Sequence, residues 1–143
     1  MMALASDFAF ARDGVVLNPH YKLMKLYGSE YHTYFLPKRV GQKKASELLS
    51  SAEPILASEA AQIGFLDGCV GDSVEEFDMW IKEEAMYLAR PSLQQHFSQV
   101  KNQKANPEVL KEIEECRSGE LAFMARNFQD PEYHMARKYF GYH

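Results

Sequence analysis

The seven residues "GSEYHTY", Gly28 to Tyr34, put a carboxylate, two phenols and a serine beside a glycine, directly ahead of "FLPKRVG". The spacing predicts a helix from Ser29, a good N-cap residue, to Leu36, stopped by Pro37, whose ring excludes the helical conformation before it. On that helix Tyr31 and Tyr34 stand three apart on one face, and Glu30 and Tyr34 four apart on a neighbouring one, so that carboxylate and phenol can meet. A helix start offers unpaired backbone N–H groups and partial positive charge, and Gly28 lets a ligand approach the backbone closely. The set suits a thioester oxygen or a bound water, with Glu30 as acid or base and a tyrosine hydroxyl as donor. The competing reading makes Glu30 a first-turn charge that favours the helix dipole and the tyrosines half-buried packing.

Two further groups stand close by in sequence. His20 and Tyr21 follow Pro19, which stiffens the exit from a strand and can aim both side chains into a cleft. Lys38, Arg39, Lys43 and Lys44 cluster around the loop before the next helix, with Lys22 and Lys25 upstream. Such a patch can hold the phosphates of a nucleotide-like cofactor, or simply solvate a helix start. The five histidines form no HxxxH or HExxH pattern, which argues against a metal site. Cys69 and Cys116 lie far apart outside any CxxC and fit free thiols in a reducing compartment better than a disulfide. There is no GxGxxG, P-loop or GxSxG,.

The elements that must position these groups are mixed. "DFAFAR" and "DGVVLN" read as two short strands, over 7–12 and 14–18, broken at Asp13-Gly14,. From Gly41, "GQKKASELLSS" places Ala45, Leu48 and Leu49 on one helical face,. Pro54 separates it from a second helix, "ASEAAQIG", closed by Gly64, and "FLDGCV" forms a strand over 65–70,. Asp72 or Ser73 caps a long helix in which Phe77, Trp80, Ile81, Ala85 and Leu88 recur until Pro91,. Helices from Ser92 to about Lys104, from Pro107 to about Phe128 and from Tyr133 to Tyr139 follow,. The expected organisation is an α/β piece over 1–71 and a helical tail over 72–143.

Composition narrows the function classes. A chain of 143 residues, 46% hydrophobic and 25% charged, is one ordinary globular domain's worth, and a net charge of -4 provides no global basic field for nucleic acid,. No apolar run reaches the roughly 18 residues a bilayer span needs, and "MMALASDFAFAR" lacks the basic start of a signal peptide,. A cytoplasmic protein is expected. Three short strands cannot cover both faces and edges of a sheet, and "MMALAS" reads as an apolar helix already in progress,. The expectation is a fragment whose partner elements lie upstream.

The ordered series "LPKRVGQKKASELLSSAEPILASEAAQIGFLDGCV" resembles the second half of the crotonase (enoyl-CoA hydratase/isomerase) superfamily over 35 residues. There a Leu-Pro-Arg-x-x-Gly stretch precedes an Ala-x-Glu-Leu helix, and an Ala-x-Glu-Ala helix runs into Gly-Leu-Val-Asp, here Gly64-Phe65-Leu66-Asp67. Within that superfamily, "VVLNPHYK", "LYGSEYHTYFLPKRVG", "GELAFMARNF" and "YHMARKYF" resemble the carboxy-terminal part of HypX-type hydrogenase maturation factors, over almost the whole chain. The resemblance implies a partial crotonase-like core and coenzyme A as acyl carrier. It also implies decarbonylation of formyl-CoA to CO and CoA for the NiFe hydrogenase, with the upstream part of the same protein and other maturation proteins as partners. Ordinary crotonases place a catalytic Glu near His20 or Tyr21, and this chain has none there. That departure leaves Glu30, Tyr31 and Tyr34 as first-choice polar groups, with Ser29, His20 and Tyr21 behind them and Gly28, Lys38 and Arg39 as cofactor-binding candidates. The backbone donors for the thioester oxygen are expected upstream, so the isolated chain is expected to be inactive. Enoyl-CoA hydration or isomerisation, and a non-catalytic docking role, are the alternatives.

Overall fold

The computed structural model describes residues 2–18 and 20–141. A 3-10 turn, Met2–Ala5, leads into β1, Phe10–Ala11, and a turn at Asp13-Gly14 returns the chain into β2, Val16–Leu17. A second 3-10 turn, His20–Met24, precedes α1, His32–Ser51. Then come β3, Ile55–Leu56, α2, Ala57–Gln62, and β4, Gly68–Cys69. Four helices follow: α3, Val74–Leu88, α4, Pro91–Lys104, α5, Pro107–Asn127, and α6, Pro131–Gly141.

The strands are shorter than their sequence patterns. β1 runs parallel to β4, with Phe10 opposite Gly68, and β2 runs antiparallel to β3, with Val16 opposite Leu56. At the amino end of the first ladder the Ala9 N–H donates to the Asp67 side chain, Oδ2 at 2.7 Å, and a Cβ on Gly68 would lie 3.2 Å from the Phe10 ring. β3, beside Pro54, was not anticipated from the alternation. Ala9, Ala57, Ala60 and Leu66 form one small core, Leu4, Leu36 and Ala45 a second, and Phe65 packs against both.

α1 departs from expectation in three ways. Ser29 does not cap it; Tyr31 occupies the N-cap position in the left-handed region, φ 58°, and its side chain makes no cap. Pro37 does not stop it, since a proline in the second turn forfeits one hydrogen bond and the flanking turns carry on,. Gly41 breaks the helix instead, at φ 79° and ψ 158°, a region open essentially to glycine alone. Nothing lies within 4 Å of a Cβ built there, so Gly41→Ala tests the backbone term without a clash. Urea unfolding should show a loss of about 1–3 kcal/mol. A loss under about 0.5 kcal/mol, the scale of an ordinary surface change, would mean that the kink relaxes freely.

Gly64, at φ 78°, follows α2 as anticipated, and Ser73 caps α3 in a reciprocal capping box with Glu76,. Trp80 of α3 meets the Phe10 ring edge-on, with centroids 5.0 Å apart, and Phe97 of α4 meets Phe8 at 5.8 Å. Neither helix has a fully buried residue. α5 packs along α1 and α6 along the second 3-10 turn, and those two contacts bring the far end of the chain to the "GSEYHTY" segment.

Candidate functional site

A cavity of about 440 Å³ opens between the second 3-10 turn, α1 and the paired strands β2 and β3. Its walls are mostly apolar, with Leu17, Leu36, Leu48 and Phe65 among them, and its polar lining includes Tyr21, Glu30 and His32. The Tyr21 hydroxyl donates to Glu30 Oε1 at 2.5 Å. That hydrogen bond, then burial, then the Glu30 charge push the Tyr21 pKa above the usual phenol value, so the proton stays on the tyrosine through neutral pH. Glu30 Oε2 is buried and accepts no hydrogen bond among the described residues. A buried acceptor left open is costly, and it is the atom at this site most in need of a partner.

Gly28 makes this arrangement possible. It sits at φ 92°, and a Cβ would meet Glu30 Oε2 at 3.4 Å and the His32 ring at 3.5 Å. Behind it lies a second layer that sequence reasoning missed. Glu120 of α5 is 1% exposed, and its carboxylate receives the Tyr31 N–H at 2.8 Å, the Thr33 N–H at 2.8 Å and the Thr33 hydroxyl at 2.7 Å. It therefore supplies from 87 residues away the cap that Tyr31 does not provide,. His32 Nδ1 lies 3.2 Å from Glu120 Oε1, and Tyr27 stacks on Phe123 and lies tilted against the His32 ring.

Burial lowers the His32 pKa, and this outweighs Glu120 and then Glu30, both of which act to raise it. The Glu120 charge is already held by the donors at the start of α1, so it has less need of an imidazolium. The sign of the resulting linkage is fixed: unfolded His32 takes up a proton near pH 6.5 that the folded form resists, so the unfolded state binds more protons below that pH. Stability contributed by His32 is present above about pH 6.5 and is lost as pH falls. Urea unfolding at pH 7.5 and pH 5.5 should show this loss, and His32→Asn should reduce it. An unchanged pH slope in the variant would place the dependence elsewhere.

The other candidates from sequence lie off the cavity wall. Tyr31 carries Arg117 over its ring at 4.7 Å, and Tyr34 carries Lys38 at 5.0 Å. Lys38 also pairs with Glu112 at 3.5 Å, and Arg39 pairs with Asp67 at 2.5 Å. Ser29 is half-buried and does not line the cavity. The His20 backbone opens the second 3-10 turn, but its side chain, like Pro19, lies outside the described residues. The Cys69 thiol pKa is pushed up by burial and then by Asp13, the opposite of an activated nucleophile. Among the described residues no group of three or more His, Cys, Asp or Glu could hold a metal ion, and no helix is long and apolar enough to cross a membrane.

No family model matches the chain. It is 33% identical over 140 residues to the hydrogenase maturation factor HoxX of Bradyrhizobium diazoefficiens, covering 95% of this chain and 25% of that protein. The crystal structure of HypX from Aquifex aeolicus in complex with tetrahydrofolic acid superimposes with a TM-score of 0.88 at 43% identity, over 96% of this chain and 25% of that one. An enoyl-CoA hydratase from Bacillus halodurans superimposes with a TM-score of 0.76 at 18% identity, over 93% of this chain and 52% of that one. The fold is thus part of the crotonase-like fold, and the chain spans about a quarter of the length of the HoxX and HypX proteins it matches.

Proposed function

We propose, for a chain homologous to the HoxX/HypX hydrogenase maturation factors along 95% of its length, that its cavity forms part of a pocket that decarbonylates formyl-CoA. The CO released would serve NiFe hydrogenase maturation. The observation that carries this reading is the Tyr21–Glu30 pair, in which one carboxylate oxygen is held by the phenol at 2.5 Å and the other is buried and accepts no hydrogen bond among the described residues.

The reaction breaks the formyl C–H and C–S bonds, forms an S–H bond, and leaves CO and CoA thiol. One carboxylate can serve both halves, with Glu30 Oε2 taking the formyl proton and returning it to the departing sulfur. Tyr21 keeps its own proton and fixes the carboxyl plane. Apolar walls such as Leu17, Leu36 and Phe65 keep out the water that would hydrolyse a formyl thioester to formate. The donors for the thioester oxygen and the site for the nucleotide end of CoA are assigned to the rest of the protein. The tetrahydrofolic acid bound by Aquifex aeolicus HypX fits an earlier step that loads a formyl group onto CoA.

The test is CO release, trapped by reduced haem, when formyl-CoA is given to the full-length protein, with crotonyl-CoA as the comparison substrate. CO without hydration of crotonyl-CoA supports decarbonylation. Hydration or isomerisation of crotonyl-CoA without CO would replace it by the activity of an ordinary hydratase.

A further inference from the structure

Glu120 and His32 have no part in the proton steps just described, yet they are the two buried polar residues of the described chain, at 1% and 4% exposure. We propose that Glu120, on α5, is a positioning residue for Glu30: it clamps the turn at 31–33 and fixes the proton of His32 on Nδ1, so that the neighbouring Glu30 carboxylate is held at the cavity. This rests on Glu30 being the proton carrier.

Three observations support it. His32 Nδ1 lies 3.2 Å from Glu120 Oε1, and because a carboxylate only accepts hydrogen bonds, that approach favours the tautomer with its proton on Nδ1 and its lone pair on Nε2. Tyr31 is held in the left-handed region, φ 58°, which costs a tyrosine of order 1–3 kcal/mol unless its surroundings impose it,. The Tyr31 N–H bond to Glu120 Oε2, at 2.8 Å, imposes it, and Glu30 is the residue directly before that turn. Finally, the point where a Gly28 Cβ would stand is 3.4 Å from Glu30 Oε2 and 3.5 Å from the His32 ring, so the clamp and the open carboxylate oxygen converge on one glycine.

The groups facing His32 are Glu120 from α5, Glu30 from the preceding turn and the Tyr27 ring. A neutral imidazole between two carboxylates leaves Glu30 the basic group at the cavity, whereas an imidazolium would compete for its charge. With three hydrogen bonds already accepted and only 1% exposure, Glu120 itself is not open to substrate.

The experiment uses the full-length protein and its Glu120→Gln variant, with two readouts. In ¹⁵N-histidine spectra, the unmutated protein should show His32 as a single Nδ1–H tautomer, and Glu120→Gln should show a mixture or the other form. In formyl-CoA turnover, Glu120→Gln should lower kcat by up to about 100-fold, the scale of a misaligned reacting group, with little change in KM. The same change made in a Glu30→Gln background should cost nothing further. An Nε2–H or doubly protonated His32 in the unmutated protein at neutral pH, an unchanged tautomer in the variant, or a loss that persists in the Glu30→Gln background would each overturn the proposal. If the unmutated protein releases no CO, the decarbonylation reading falls, while the imidazole spectra still decide the clamp. Should Glu120→Gln fail to fold, Thr33→Val removes one hydroxyl from the same carboxylate and is read by the same spectra; no response of the His32 signal would count against the clamp.

Discussion

Glu30→Gln in the full-length protein lowers CO release from formyl-CoA by about 100-fold or more, the scale on which a positioned acid or base acts. The substitution is chosen because it leaves the packing alone. A glutamine has the same shape, its amide oxygen can still accept the Tyr21 hydroxyl that now bonds Oε1 at 2.5 Å, and its NH₂ would occupy the place of Oε2, which is buried and without a hydrogen bond among the described residues. The variant therefore keeps the fold and the cavity but loses the ability to take a proton from carbon. Tyr21→Phe separates orientation from proton transfer: it removes the hydrogen bond and leaves the carboxylate, so its loss should be smaller and should lie mainly in kcat. Undiminished CO release from Glu30→Gln would reduce the pair to packing and move the chemistry elsewhere in the protein.

Part of this site was legible in the sequence and part could not be. Glu30 beside Gly28 stood out because a carboxylate next to a glycine ahead of a helix is a recognisable arrangement, and both line the cavity. Glu30 and Tyr34 share a helical neighbourhood only if both lie in one helix. The helix starts at His32, after a left-handed Tyr31, so Glu30 precedes it and the four-residue spacing has no meaning. Nothing local in the sequence marks Tyr21 as the partner of Glu30, because no pattern says that a 3-10 turn folds back until its hydroxyl reaches a carboxylate nine residues on. Glu120 left a fainter trace. Along α5 the half-buried positions Ile113, Cys116, Met124 and Asn127 recur at helical spacing, and Glu120 falls on that stripe,. A carboxylate within an apolar stripe is a polar group that must have a partner, but the partner lies at the start of another helix. The strands are shorter than their alternation suggests for a related reason. Alternation marks residues that can extend, whereas the length of a ladder depends on what pairs with it, and here the Asp67 side chain takes the Ala9 N–H at the amino end of the first ladder.

The largest expected effect on stability belongs to Glu120→Ala. The carboxylate is 1% exposed, receives the Tyr31 N–H, the Thr33 N–H and the Thr33 hydroxyl, and lies 3.2 Å from His32 Nδ1. Truncation leaves these donors facing a void, and each unsatisfied buried donor costs about 1–3 kcal/mol unless water reaches it. It also removes a negative charge from the positive end of α1, and with it the restraint on the left-handed Tyr31,. Buried networks broken from one side typically lose about 3–5 kcal/mol, and urea unfolding of the chain, followed by the fluorescence of Trp80, should show a loss of that size. Glu120→Gln should lose less, because its carbonyl can still serve either the Thr33 side or the Tyr31 side. The difference bears on the link between the α5 helix and the pocket. If Glu120→Ala costs under about 1 kcal/mol, solvent or a neighbouring group already replaces the cap, and α5 contributes to the pocket by packing alone. A loss near the upper figure, with the cavity residues untouched, means that the segment carrying Glu30 takes its shape from a helix almost ninety positions later in the chain.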